Sequence, residues 1–214
     1  MITIVSLNIG IVKAVKEVFP EQEYPEINVI RSNISQCSGH DCIVSAGNSF
    51  GLMDGGIDRT ITNMLSTIDD RTYIIGKVQQ RIIHEYSGEQ PVGTCILVPT
   101  DNIKFPFLAH VPTMRIPRNS IGTLNAYYAY KSLFEKVRQT PQINSILTTT
   151  FCTGCGEIPL RMSLEQMKKA YNMVFRSNLQ NIRWSHAAKL DEELVELQNK
   201  NPKLFMSKEK QINN

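Results

Sequence analysis

Short apolar runs alternate along this chain with stretches whose apolar residues recur every three to four positions. Runs of four to six apolar or β-branched residues suit buried strands, and the 3.6-residue spacing suits helices that turn one face to a core. Ile2–Leu7 predicts a strand. Gly10–Phe19 carries Ile11, Val12, Val15, Val18 and Phe19 at helical spacing and stops at Pro20. Asn28–Arg31 and Cys42–Ala46 predict two more strands, the first followed by the turn Ser32-Asn33-Ile34-Ser35. Ile57–Leu65 predicts a helix with Ile57, Ile61, Met64 and Leu65 on one face, and Thr72–Tyr86 another with Ile75, Val78, Ile82 and Ile83. Thr94–Pro99 and Phe107–Val111 predict strands, Leu124–Arg138 a helix bounded by Pro141, and Ile143–Thr150 a β-branched strand. Leu164–Leu179 predicts a helix, Ile182–Ser185 a last strand and Lys189–Asn199 a charged helix, with a frayed tail from Lys203. Strands alternating with amphipathic helices predict an α/β layer fold. Residues 1–186 are expected to form one domain, with 187–214 a C-terminal helix and tail packed on it or trailing from it.

Two of the predicted strands run into glycine loops that precede helices. The first loop spans Asn48 to Asp58 and contains Gly51, Gly55 and Gly56; the second is Phe151-Cys152-Thr153-Gly154-Cys155-Gly156. Glycines let backbone approach a phosphate, and the free N–H groups of a helix start point at it. In an open α/β sheet, ligands sit beyond the carboxyl ends of the strands. Two such loops at adjacent strand ends would clamp a phosphate-rich ligand from both sides.

The bulk numbers narrow the class. The 214 residues suit one generous domain, 42% hydrophobic and 20% charged, as in ordinary globular proteins. A net charge of +3 without a dense Lys/Arg patch gives no strong nucleic-acid signature. The strand-like start Met-Ile-Thr-Ile-Val-Ser-Leu lacks the basic region of a signal peptide, and no apolar run approaches a membrane span. Five cysteines, an odd count without a secretory signal, lead us to expect a reducing, cytoplasmic setting.

The segment Ser45-Ala46-Gly47-Asn48, continuing to Gly55-Gly56-Ile57-Asp58, resembles the signature loop of macro domains, the ADP-ribose-binding modules. Their usual form is roughly Asn-Ala-Ala-Asn, a short spacer, then Gly-Gly-Gly-Val-Asp. Thr150 to Pro159, with Thr153-Gly154-Cys155-Gly156 at its centre, resembles their second phosphate loop, and Arg31-Ser32-Asn33-Ile34-Ser35 resembles their Gly-Asp-Ile-Thr turn, which holds adenine. Together with Pro112-Thr113-Met114-Arg115, the first segment looks most like a microbial or viral macro-like subfamily.

The resemblance implies a three-layer α/β/α sandwich with a mixed central sheet. It implies Asn33 at the adenine amino group and the Ile34 N–H near the ring. Asn48 would meet the distal ribose hydroxyls, and Gly55, Gly56 and Ile57 the diphosphate, with Thr153, Gly154, Cys155 and Gly156 on its other side. Asp58 falls where hydrolytic members carry an aspartate that activates or orients water, so Asn48 and Asp58 are the implied catalytic pair. Ser45 and Gly47 take the places of an Asn and an Ala among the ligand-binding positions, Asn33 replaces an Asp, and Asp54 replaces the first glycine of the triplet. The implied partner is ADP-ribose or an ADP-ribosylated macromolecule, with no cofactor, metal or membrane. The implied activity is hydrolysis of an ADP-ribose linkage, either de-ADP-ribosylation or ADP-ribose 1″-phosphate processing; the alternative is a non-catalytic reader.

Blander readings stand beside these. Asp58 would serve equally as a charge complementing a helix dipole, Asn48 as a loop cap and Asn33 as an Asx-turn residue. Cys152-Thr-Gly-Cys155 has redox-motif spacing, and Cys37, His40, Cys42, Cys152 and Cys155 supply enough zinc ligands, which gives a third, cysteine-based regulatory reading. Trp184 is expected in the core or as a lid on adenine, Arg115 on a surface loop or against phosphate, and Tyr127, Tyr128 and Tyr130 in core and surface.

Overall fold

In a central strand both faces are covered, so apolar residues run on without alternation. Cys42-Ile43-Val44 and Ile2-Thr3-Ile4-Val5 are such runs, and both lie inside the sheet of a computed structural model that describes residues 1–66, 70, 72–178 and 180–200. The strands are β1 (Ile2–Ser6), β2 (Ile27–Arg31), β3 (Cys42–Ser45), β4 (Ile96–Asn102), β5 (Phe105–His110) and β6 (Ile146–Thr148), and the helices α1 (Ile9–Val18), α2 (Gly56–Leu65), α3 (Tyr73–Tyr86), α4 (Asn125–Arg138), α5 (Leu160–Tyr171) and α6 (Trp184–Asn199). The strand order is β2-β1-β6-β3-β5-β4. Every neighbouring pair is parallel except the β4–β5 hairpin. The sheet is therefore mixed, and the carboxyl ends of β1, β2, β3, β5 and β6 all open on one edge.

Successive residues of a strand face opposite sides, and two cores result. Ile4, Val44, Ala109 and Ile146 pack with α1, α4 and α5 through residues such as Val15, Phe134 and Leu164. Val5, Ile43, Leu108 and Leu147 pack with α2 and α3 through Ile61, Leu65, Val78 and Ile82. The architecture is the expected three-layer α/β/α sandwich. Truncating a residue as enclosed as Leu164 to alanine costs about 2–5 kcal/mol.

The predicted strand Ile143–Thr150 pairs only over Ile146–Thr148, and Thr149 and Thr150 leave the sheet for the second glycine loop. The predicted strand Ile182–Ser185 is a correction. Its apolar residues lie open, Ile182 at 83% and Trp184 at 90% exposure, and Trp184 opens α6. A strand needs a ladder partner, and without one the helical spacing of Leu190, Leu194 and Leu197 decides the segment. That stripe packs on the first core, and Lys169–Glu193 and Lys200–Glu165 ion pairs join α6 to α5. Helix α5 passes into a wider turn, Asn172–Arg176; the expected helix end at Leu179 and the tail from Lys203 lie outside the described residues. Among the described residues no helix is long and apolar enough to cross a membrane.

Candidate functional site

Where five parallel strands end, their exit loops enclose a cleft of about 480 Å³. Leu7 follows β1, Asn33 and Ile34 follow β2, Gly47 and Asn48 follow β3, Thr113 and Met114 follow β5, and Thr150 to Gly156 follow β6. Gly55, Gly56, Ile57 and Asp58 close the cleft at the start of α2. The cleft is the crevice expected beyond the carboxyl ends of a parallel sheet.

Helix α2 starts without a side-chain cap: Gly55 holds the cap position, and no side chain accepts from the first turn. Those N–H groups face a cleft wall, where an anion would satisfy them and interact with the helix dipole. The loop before them is held by Asn48. Its Oδ1 accepts from Phe50 N–H at 3.0 Å and Leu52 N–H at 3.4 Å, and its Nδ2 donates to the Leu52 carbonyl at 2.9 Å. Asn48 is thus a loop cap and a cleft residue at once. Asp54 is exposed on the cleft, and Arg59 donates to its backbone carbonyl rather than to its carboxylate.

Asp58, 9% exposed, receives one hydrogen bond, from the Ser45 hydroxyl at 2.8 Å. Burial raises its pKa to about 6; the Ser45 bond pulls it down and the Asp54 charge pushes it up. Ser45 was expected to touch ligand. Instead it is fully buried behind Asp58 and forms no part of the cleft wall. Ser45 pairs with His110 in the β3–β5 register and projects towards α2, so a short hydroxyl there reaches the aspartate.

The second loop is pinned from below. Phe151 stacks on Tyr130, ring centroids 4.0 Å apart and nearly parallel; its N–H donates to the Tyr130 hydroxyl and its carbonyl accepts from Ser163. From that anchor Thr153, Gly154, Cys155 and Gly156 reach the cleft. A Cβ at Gly156 would stand 2.6 Å from the Cys152 carbonyl oxygen, so this turn closes only with glycine. Cys152 and Glu157 hold left-handed backbone, φ 59° and 54°, which is costly for side-chain-bearing residues and concentrates strain at the site.

Burial pushes the Cys152 thiol up to about 12, the opposite of a reactive redox cysteine, and all five cysteines are free. Among the described residues no three His, Cys, Asp or Glu side chains are grouped to hold a metal ion.

Asn33 caps a short 3₁₀ turn, Ile34–Gln36, its Oδ1 accepting from Ser35 N–H at 3.1 Å, so at the cleft edge its amide NH₂ is the group left to meet a ligand. Arg115 does not face the cleft as an open cation: Glu89 takes both Nε and Nη2, and the guanidinium lies over Phe50. Trp184 is neither core nor lid. Tyr127 and Tyr130 are core and Tyr128 is exposed, as expected. Leu7, Thr113 and Met114 are cleft residues that sequence reasoning missed; each lies within a few residues beyond a strand end, the signal that would have found them.

A family model described as Macro domain matches residues 44–167. An uncharacterized protein of Aquifex aeolicus (strain VF5) is 26% identical over 181 residues, 80% of this chain and 94% of that one. Among solved structures, a glycine-to-valine variant of the Oceanobacillus iheyensis macrodomain with ADPR superposes with a TM-score of 0.57 at 17% identity, over 79% of this chain and 91% of the other. The macrodomain of Mycobacterium tuberculosis DarG gives 0.54 at 16% identity, over 66% and 87%. At these identities the solved structures speak to the fold.

Proposed function

The chain belongs to the macro domain family, and on that premise we propose that its cleft binds ADP-ribose and that Asp58 drives hydrolysis of an ADP-ribose linkage. The observation that carries the reading is the state of Asp58: a buried carboxylate on the cleft wall, three residues past Gly55, with one hydroxyl partner and a pKa raised to about 6. A carboxylate so placed is a stronger base than a solvated one and still ionised at neutral pH. The uncapped start of α2 and the Thr153–Gly156 loop suit the diphosphate. The Oceanobacillus iheyensis macrodomain solved with ADPR supports the ligand class.

In the proposed reaction the distal ribose lies beside Asn48 and Asp58. A water oxygen bonds to the anomeric carbon as the bond from that carbon to the leaving oxygen breaks. The breaking bond's electron pair goes to the leaving group, and Asp58 takes the water proton. Loop N–H groups fix the diphosphate and hold the anomeric carbon in reach of the water. De-ADP-ribosylation and ADP-ribose 1″-phosphate processing both fit this step. The free cysteines support an intracellular setting.

A second reading, a non-catalytic reader, is favoured by Asn48, whose amide is engaged by its own loop. Calorimetry with ADP-ribose, then turnover of ADP-ribosylated protein and nucleic acid, separates the two. The hydrolase reading expects binding by wild type and Asp58→Ala alike, with turnover lost in the variant. Turnover of the variant at the wild-type rate ends the role of Asp58. Binding without turnover by the wild type leaves the reader, and no binding at about 1 mM ADP-ribose removes both.

A further inference from the structure

The proposed hydrolysis uses one end of the cleft and leaves the other without a role. In the sheet β2 stands three strands from β3, about 14 Å at the usual strand spacing. The distal ribose is placed at the β3 exit, beside Asn48 and Asp58, and the diphosphate between the Gly55–Gly56 turn and the Thr153–Gly156 loop that leaves β6. What remains of the ligand, its base, then falls at the exits of β1 and β2. Val5, Leu7, Ile11 and Ile34 line that end with apolar surface, as a flat ring needs, and Asn33 stands at its edge.

The Asn33 amide is held one way round. Its Oδ1 accepts from Ser35 N–H at 3.1 Å, and since only the oxygen can accept, the amide cannot turn without orphaning that N–H. Nδ2 has no partner among the described residues, so the amide meets the cleft as a donor. The other polar side chains at the β1 and β2 exits are the Ser6 and Ser32 hydroxyls. A hydroxyl donates or accepts as required and does not choose between ligands. The two carboxylates of the cleft wall, Asp54 and Asp58, flank Gly55 and Gly56, where the diphosphate is placed. The side chain of fixed polarity at the base end is therefore a donor. An amino group facing it sets donor against donor; an oxo group gives it the acceptor it lacks.

We propose that Asn33 sets the base specificity of the cleft. It selects a nucleoside diphosphate ribose whose base presents an oxo group, as hypoxanthine does, over one that presents an amino group, as adenine does. This rests on the reading of the cleft as an ADP-ribose site and refines it. ADP-ribose still binds through its diphosphate and distal ribose, but with its amino group unmatched. Asn33 is exposed, so water competes for the amide, and one hydrogen bond gained is worth a modest factor in affinity.

The test is calorimetry at fixed pH and salt with ADP-ribose and with its hypoxanthine counterpart, inosine diphosphate ribose, in which an oxo group replaces the adenine amino group. Wild type is expected to bind the hypoxanthine ligand about three- to tenfold more tightly. Asn33→Asp keeps an acceptor for Ser35 N–H and offers the base a second acceptor in place of the donor, so the order is expected to reverse by about the same factor. Asn33→Ser keeps a cap and offers a hydroxyl that suits either base. It is expected to bring the two affinities together, and it decides the matter should Asn33→Asp fail to fold. A ratio of affinities in one protein cancels any general loosening of the turn, which is all that a purely structural Asn33 would cause. A wild type that does not prefer the hypoxanthine ligand, or a preference that survives these substitutions, overturns the assignment, while its binding of ADP-ribose leaves the cleft reading in place. Failure of both ligands to bind at about 1 mM removes the two together.

Discussion

Strand β3 carries an aspartate beyond each end, and the two are treated in opposite ways. Asp41, half-buried just before the strand, accepts three hydrogen bonds on Oδ2: from Asn144 N–H at 2.8 Å, Ser145 N–H at 2.9 Å and the Ser145 hydroxyl at 2.9 Å. Burial pushes its pKa up, but these donors, with His40 nearby, leave it below the usual carboxylate range. Asp58, beyond the other end, is buried, with one hydroxyl and a neighbouring negative charge, and burial above all raises its pKa to about 6. Deeper burial at Asp58 and the larger donor count at Asp41 together separate them. At the amino edge the carboxylate is saturated and stitches β3 to β6; at the carboxyl edge it is under-satisfied beside an open cleft. An acid kept hungry for a proton is poor structure and useful chemistry.

Replacing Asp58 with asparagine breaks the comparison hardest. Asp58→Asn keeps an acceptor for Ser45 and removes the base. Turnover is expected to fall about 10²–10⁴-fold, with ADP-ribose affinity retained by calorimetry. In the wild type the same activity should rise with pH through about 6, as Asp58 loses its proton.

Stability should move the other way. The folded pKa lies above the unfolded value, so folding takes up a proton between about pH 4 and 6, and stability falls as pH rises through that window. Above it the cost of ionising Asp58 stands in full, of order 3 kcal/mol. Asp58→Asn should therefore unfold later in urea than wild type at pH 7 and lose that advantage near pH 4.

Asp41 supplies the mirror test. Asp41→Ala is expected to cost about 1–3 kcal/mol in urea unfolding at pH 7, because the N–H groups of Asn144 and Ser145 lose their shared acceptor. ADP-ribose affinity should not change, since Asp41 lies at the opposite edge of the sheet from the cleft. Its linkage sign is reversed. The folded pKa is depressed, so its contribution is present above about pH 4 and is lost as pH falls through the folded pKa. If Asp41→Ala weakened binding as much as stability, the two edges would not be independent.

Gly156→Ala probes the cleft edge without touching a charge. The added methyl meets the Cys152 carbonyl and forces the second loop outward. Because that loop is pinned by Phe151 and Tyr130, the displacement falls on Thr153–Gly156. We expect about a tenfold loss in ADP-ribose affinity, near 1.4 kcal/mol, with a smaller change in melting temperature.

The same contrast explains what could be read from the residues alone. Cys42 to Ser45 is legible as a strand because burial on both faces writes a continuous apolar run. Gly55 to Asp58 and Thr153 to Gly156 are legible because an anion cradle at a helix start needs glycine at short, ordered spacing. Ser45 stands one row behind the cleft wall, a depth that sequence does not carry. The Gln90–His110 bond spans 20 positions and the Asp41–Ser145 bonds 104, and neither leaves a local pattern. Trp184 misled because a bulky aromatic suggests burial, whereas α6 is held by a leucine stripe and leaves the ring in solvent.

The smallest expected effect belongs to Arg115, and it sharpens where the cleft ends. An arginine just after Met114 looks like a phosphate ligand, but Glu89 already takes two of its N–H groups and Phe50 lies under its guanidinium. Both partners are solvated, so the pair is weak and salt-screened. To reach a phosphate, Arg115 would have to leave both contacts and uncover the Glu89 carboxylate beside the incoming anion. Arg115→Ala should therefore change ADP-ribose affinity by less than about twofold at moderate salt. A drop of tenfold or more, shrinking as salt is raised, would show that the arginine leaves Glu89 on binding and that the anion site extends past Met114 along the exit of β5.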